Sequence, residues 1–328
     1  MAVLITGAGL LGAQVAAKFV ARGEIPVLYD IAYNTRFVSA VVDTSKVKMM
    51  VGDILDMPFL LDTIKREKID RIIHTASLLD GGVRARPYSG VNINVVGTLN
   101  ILEAARLMSI KRVVYTSSAM VQSGARGATN APYVEDFDMK CISNMPVNIY
   151  GVTKLTAEYL GLSYHTFYGV DFAALRVNCM FGPFLGTPSG RPSYFTEMFV
   201  RNAALGKPVI INDQTNTYSG VQNFVYSKDV AKACVLACYA SEVKSRIYNV
   251  SGHKSYTFQD VVDITKKVFP GTEIRVKEIS KIGWGNMPAN WYPYDISKAQ
   301  NEFGYQPDYD LEAAFKDYGD WLRKYSQP

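Results

Sequence analysis

Residues 2–12 read Ala2-Val3-Leu4-Ile5-Thr6-Gly7-Ala8-Gly9-Leu10-Leu11-Gly12. Four apolar residues without a polar interruption suit a strand buried on both faces. The glycines that follow stand in the order G-x-G-x-x-G, and residues 10–22 then repeat apolar positions at helical spacing. In such a strand–turn–helix unit Gly7 permits the tight turn, Gly9 lets the backbone approach a pyrophosphate, and Gly12 allows close helix–strand packing. Leu10 and Leu11 open the helix whose free N–H groups would receive the phosphates. The next strand ends at Asp30, eighteen residues after Gly12. A carboxylate there accepts both hydroxyls of an adenosine ribose and repels a 2′-phosphate, which favours NAD over NADP. Arg36 stands close enough in sequence to offset part of that repulsion.

The same rhythm continues outward from this turn. Val3–Ile5, Val27–Tyr29, Lys48–Val51, Arg71–His74, Arg112–Thr116 and Phe172–Val177 read as strands, with helical patterns over 10–22, 57–67, 91–108 and 149–168. Strict alternation predicts an α/β fold, a doubly wound parallel (Rossmann) sheet with helices on both faces. After about residue 180, Gly182-Pro183, Gly186, Pro188, Gly190 and Pro192 break the pattern. The expected organisation is an NAD-binding domain over 1–178, to which 222–250 returns as strand and helix. Residues 179–221 and 251–328 would form a smaller, interleaved substrate-binding portion.

Composition narrows the class. With 48% hydrophobic and 20% charged residues, the 328-residue chain is an ordinary globular one and long enough for a substantial core. The net charge of +5 is scattered rather than gathered into runs, so no nucleic-acid partner is expected. Apolar stretches are strand-length, short of the ~18 residues of a membrane span. The opening residues lack a basic segment, so no signal peptide is expected. The four cysteines (141, 179, 234 and 238) have neither metal-ligand nor disulfide-framework spacing. Free thiols in a reducing cytoplasm and no metal follow from that reading.

Chemistry-bearing residues gather at the predicted carboxyl ends of strands, where open α/β sheets bind ligands. Gly52-Asp53-Ile54 follows the third strand: Asp53 and the Ile54 N–H read an adenine edge, or the three form an ordinary turn. His74-Thr75-Ala76-Ser77 ends the fourth, with Ala76 small enough for a cofactor to pass and His74 expected to be packed rather than catalytic. Tyr115-Thr116-Ser117-Ser118 ends the fifth. Its hydroxyls either hold a reacting oxygen or cap local backbone. Tyr150 and Lys154, four apart at a helix start, share a face. An ammonium beside a phenol lowers its pKa and fits Tyr150 for proton exchange with an alcohol or carbonyl.

With these residues in order, the chain resembles an extended short-chain dehydrogenase/reductase, the superfamily of NAD-dependent sugar epimerases and dehydratases. Asn94 through Asn100, Arg176 through Gly182-Pro183, Asn223 through Ala231 and Asp295 through Ala299 extend the resemblance across nearly the whole chain. It implies Ser118 as the catalytic hydroxyl, Tyr150 as acid/base, Lys154 as its partner and holder of the nicotinamide ribose, and Asn94 as a support for the central helix. It also implies a homodimer through the helices after Asn94 and Tyr150; Val95, Leu99, Leu102 and Leu107 on one and Leu155, Tyr159 and Leu162 on the other either supply that surface or pack within the chain.

The departures are equally informative. Where nucleotide-sugar members carry an Asn after the sixth strand, this chain has Cys179, with Asn178 one place early. Gln222 replaces a pyrophosphate-gripping Arg, and 285–294 contains no cation. A diphosphate needs charge-assisted, preferably bidentate partners. Ala119 and Met120 replace the acidic pair of the dehydratases. Arg84, Arg86 and Arg191 either bind a small anion or are solvated, and Trp284, Trp291, Tyr292 and Tyr294 either wall a pocket or pack as core. The resulting expectation is an NAD-dependent oxidoreductase. It would transfer hydride between NAD and a secondary alcohol or ketone of a small polyol, sugar, sugar acid or hydroxy compound. The substrate would meet Ser117, Ser118, Asn178, Cys179 and Arg191. The alternative is an NAD-dependent sugar epimerase.

Overall fold

The structure, a computed structural model, describes residues 2–122, 132–136, 148–185, 191–211, 221–276 and 294–326, with backbone alone at 191–195 and 276. Its strands are β1 (Ala2–Thr6), β2 (Val27–Asp30), β3 (Lys48–Val51), β4 (Ile69–His74), β5 (Arg112–Ser118), β6 (Phe172–Val177), β7 (Cys179–Phe181), β8 (Val209–Ile211), β9 (Val221–Tyr226), β10 (Ile247–Val250), β11 (Ser255–Thr257) and β12 (Ile274–Val276). Its helices are α1 (Leu10–Ala21), α2 (Thr35–Val41), α3 (Met57–Arg66), α4 (Asp80–Ala85), α5 (Pro87–Val91), α6 (Gly97–Leu107), α7 (Ile149–Tyr168), α8 (Arg191–Ala204), α9 (Ser227–Tyr239), α10 (Phe258–Val268), α11 (Ser297–Phe303) and α12 (Leu311–Tyr325).

Seven strands form one parallel sheet in the order β3-β2-β1-β4-β5-β6-β10. The order of winding reverses between β1 and β4, so the crevice for a ligand opens at their carboxyl ends. Strands such as β5 and β6 bury nearly every residue because helices cover both faces. On one face α1 and α9 pack Val15, Phe19, Cys234 and Cys238 against the sheet. On the other, α3, α6 and α7 contribute Leu60, Ile101, Leu102 and Ala157. A second core, around Phe181, Phe199, Tyr226, Phe315 and Tyr318, joins α8, α10 and α12 to β7 and β9.

Two expectations change. The segment 222–250 is split: α9 and β10 return to the parallel sheet, whereas β9 joins β7 and β11 in a separate three-stranded sheet. The apolar run Phe224-Val225-Tyr226 of β9 suits either sheet, and long-range pairing makes the choice. The helix expected over 91–108 runs as α5, a π-helical turn at Asn92–Val96, and α6. That turn buries Asn94, which accepts from the Leu78 N–H at 2.7 Å and donates to the Leu78 carbonyl at 2.9 Å and Thr153 at 3.1 Å. It thereby ties the loop after β4 to α7. Among the described residues, no helix is long and apolar enough to cross a membrane.

Candidate active site

The glycine turn fits a dinucleotide. Gly7 has φ +88°, and a Cβ on Gly12 would lie 1.7 Å from the Gly7 carbonyl, so neither position tolerates a side chain. Around Gly9 a Cβ would meet nothing within 4 Å, which leaves open space over the start of α1. No side chain caps α1, and Gly9, Leu10 and Leu11 therefore border uncommitted helix N–H groups suited to a pyrophosphate. Asp30, at the end of β2, accepts from the Ala8 N–H at 2.5 Å, which places its carboxylate beside that turn. Asp53 accepts from the Leu55 N–H at 2.9 Å, as a turn-former does, while its carbonyl takes the Tyr29 hydroxyl. Ile54 is buried, and Ala76 lies half-exposed against Gly7. Arg36 donates to the Tyr325 carbonyl at 3.3 Å.

Tyr150, Lys154 and Ser118 come together at the other side of the crevice. Asn148 caps α7 by accepting from the Tyr150 and Gly151 N–H groups, and its amide donates to Asp80 at 2.9 Å. The helix then approaches the end of β5 closely, because a Cβ on Gly151 would sit 2.6 Å from the Met120 carbonyl. Ser118, whose hydroxyl lowers the Tyr150 pKa, accepts through Oγ from the Met120 N–H at 3.2 Å. Lys154 Nζ donates to the Thr116 carbonyl at 2.8 Å and lies 5.7 Å from the Tyr150 ring centroid. Burial pulls Lys154 down to about 7, opposed by Glu158. Burial likewise pushes Tyr150 up to about 12, opposed by the Ser118 hydrogen bond. In this state desolvation outweighs the expected lowering of the phenol by Lys154. Bound NAD in its oxidised form would supply the hydride acceptor and a positive ring, which favours the tyrosinate.

The neighbouring residues divide differently from expectation. Ser117 is 4% exposed and donates to Glu158 at 2.6 Å, so its hydroxyl is committed to a carboxylate rather than turned toward a ligand. Asn178 is also enclosed, with its carbonyl oxygen on the Cys179 N–H and its amide on Asn223 at 3.2 Å. Cys179 is half-buried and its thiol faces Gln222 Oε1 at 3.7 Å. The side chain of Arg191 lies outside the described residues, as do Trp284, Trp291 and Tyr292. Arg84 pairs with Asp80 at 2.9 Å and is half-exposed. His74 is fully buried between Thr6 and Thr98, and desolvation holds it down to about 3. It is therefore neutral packing, as expected.

Sequence reading missed two features. Glu158 sits one turn beyond Lys154, a spacing visible in Lys154-x-x-x-Glu158. Tyr294, read from the sequence as pocket wall or core, packs as core with Tyr133, ring centroids 5.2 Å apart, beside Ala119, Met120 and Cys179. No local signal joins residues 133 and 294.

Comparison with known proteins places this site in a family. The model of the NAD dependent epimerase/dehydratase family matches residues 3–251. The chain belongs to that family. It is an NAD-dependent enzyme of that family. Among curated proteins it is 27% identical to UDP-glucuronate 4-epimerase 2 of Arabidopsis thaliana, over 99% of this chain and 76% of that one. Among solved structures, UDP-glucose 4-epimerase from Thermotoga maritima superposes with a TM-score of 0.79 at 20% identity, covering 100% of both chains. An L-threonine dehydrogenase from Cupriavidus necator superposes with a TM-score of 0.80 at 21% identity, covering 98% of this chain and 100% of that one. At such identities the shared fold spans both an epimerase and a dehydrogenase.

Proposed function

We propose that this member of the family catalyses net hydride transfer between NAD and a secondary alcohol or ketone of a small polyol, sugar, sugar acid or hydroxy compound. Tyr150 takes or returns the hydroxyl proton, Ser118 holds the reacting oxygen, and Lys154 keeps charge beside Tyr150 and holds the nicotinamide ribose. The cofactor rests on Gly7, Gly9, Leu10, Leu11 and Gly12, with Asp30 on the adenosine ribose and Asp53, Ile54 and Ala76 lining its path. The smaller portion, 179–221 with 251–328, closes over the substrate.

The observation that carries the substrate class is Gln222. Nucleotide-sugar members usually have a guanidinium at this position. Here the side chain is 2% exposed and accepts from the Cys179 thiol. A neutral, enclosed amide offers a diphosphate no charge-assisted partner.

A second reading, epimerisation on tightly held NAD, is favoured by the UDP-glucuronate 4-epimerase relatives that align over 98–99% of this chain. Incubation with NAD and a panel of polyols, sugar acids and hydroxy acids, alongside UDP-glucuronate and UDP-glucose, separates the two. Net NADH with a small substrate supports the dehydrogenase; interconversion of a UDP-sugar without net NADH replaces it with the epimerase.

We also infer a homodimer, supported by exposed apolar residues on α6 and α7, and a reducing cytoplasmic location, supported by the buried thiols Cys234 and Cys238.

A further inference from the structure

Tyr150, Lys154 and Glu158 recur at four-residue intervals along α7 and share one helix face. All are enclosed, at 7%, 2% and 2% exposure. Glu158 is gripped from two neighbouring strands. Arg176 on β6 donates Nε to Oε1 at 2.9 Å and Nη2 to Oε2 at 2.7 Å, and Ser117 on β5 donates to Oε1 at 2.6 Å. Ser117 and Arg176 are direct register partners across the β5–β6 ladder, so the sheet itself aims both at the carboxylate. The remaining Arg176 nitrogen donates to the Glu135 carbonyl at 2.7 Å. A bidentate guanidinium and a hydroxyl thus hold both oxygens of one carboxylate.

We propose that Glu158 is a positioning residue of this site: held by Arg176 and Ser117, its carboxylate keeps Lys154 protonated and so keeps a positive charge beside Tyr150. The inference rests on the Tyr150–Lys154 assignment. The other titratable groups around Lys154 do not supply that countercharge. Tyr115 on β5, its ring centroid 4.8 Å from Nζ, is pushed well above the usual phenol range by burial. His74 on β4 is neutral. Tyr150 is raised by burial, and Asp80 of α4 acts on Tyr150 rather than on Lys154. Arg176 stands behind Glu158 and is neutralised by it. Against the desolvation of Lys154, the opposing attraction comes from Glu158.

Protonation of Lys154 can be followed without any substrate, by NMR of protein carrying nitrogen-labelled lysine, with the signal assigned by its loss in Lys154→Met. Glu158→Gln preserves shape and the Ser117 hydrogen bond while removing the charge. The Lys154 midpoint is expected to fall by about 1–3 pH units, the usual effect of losing a nearby opposite charge. Glu158→Asp should recover most of that shift. Should Glu158→Gln not fold, because Arg176 is left unpaired, the double variant Glu158→Gln with Arg176→Gln leaves no unmatched charge and should still lower the midpoint. An unchanged midpoint in a folded charge-free variant overturns the proposal, since a merely structural role would cost stability without moving it. A shifted midpoint with no turnover anywhere in the substrate panel would instead overturn the hydride-transfer reading and leave Glu158 its role.

Discussion

Tyr150 and His74 show how one physical term, desolvation, yields opposite functional outcomes. Both are enclosed, yet Tyr150 keeps the influence of the Ser118 hydroxyl, whereas His74 is locked between Thr6 and Thr98. Tyr150→Phe keeps the ring and removes the proton carrier. Turnover should fall about 10²–10⁴-fold while calorimetry finds NAD binding retained; activity near wild type would exclude the acid/base role. His74 makes a different prediction. Its folded pKa, about 3, is below the ordinary 6.5, so the unfolded chain binds a proton that the folded one refuses. The stability it contributes is complete above pH 6.5 and declines as pH falls toward 3, with a slope of up to about 1.4 kcal/mol per pH unit. Urea unfolding over this range should show that slope in the wild type and lose it in His74→Gln. Parallel slopes would mean that His74 is protonated when folded.

At the scale of elements, α7 does the positioning, and its placement depends on contacts with β5 and the turn after it. Gly151 permits the helix to approach the Met120 carbonyl, and Gly161 lets it settle on the Phe172 ring. Gly151→Ala should improve intrinsic helix propensity by up to about 1 kcal/mol yet push the helix start away from Ser118. Because displacement of about 1 Å can cost 10²-fold in rate, kcat should drop while far-ultraviolet circular dichroism stays that of the wild type. Full activity in Gly151→Ala would show that the close approach does not matter. The placement of Tyr150 and Lys154, the proposed catalytic pair, on one helix face was legible, since the four-residue interval and the helix start are local properties. The bond from the Asn148 amide to Asp80 and the commitment of Ser117 to Glu158 were not, because they need α4, Arg176 and β6, which are distant in sequence.

At the scale of the molecule, the outer faces of α6 and α7 remain unsatisfied within one protomer. Val152 is 43% and Tyr159 58% exposed, with Val96 and Leu107 also exposed and Leu155 and Leu162 half-buried. Leu102, expected at the dimer face, is instead fully buried under the sheet. An isologous pairing of this face meets each substitution twice. Light scattering at micromolar concentration should therefore give a dimer mass for the native protein and a monomer for Leu162→Lys. A native monomer would refute the pairing. The substrate side offers a second whole-molecule test. Each charge-assisted hydrogen bond is worth about 1.5–3 kcal/mol, so two missing guanidiniums should weaken UDP by roughly two to four decades. Calorimetry of the NAD-loaded protein should detect no micromolar UDP binding; micromolar affinity would restore the nucleotide-sugar epimerase as the leading reading.

Alternation of apolar strands with amphipathic helices, the glycine turn, Asp30 and the Tyr150–Lys154 interval belong to neighbouring residues. The parallel fold, the dependence on NAD and the shared helix face of Tyr150 and Lys154 were therefore readable from sequence. Tertiary structure alone decided that β9 leaves the large sheet, that Ser117 and Asn178 spend their polar groups internally, that Leu102 faces inward, and that Tyr133 meets Tyr294. Each of those outcomes turns on a partner dozens of residues away. Local periodicity says which face of an element is apolar; which other element covers that face, and which buried polar groups satisfy one another there, is determined only when the layers pack.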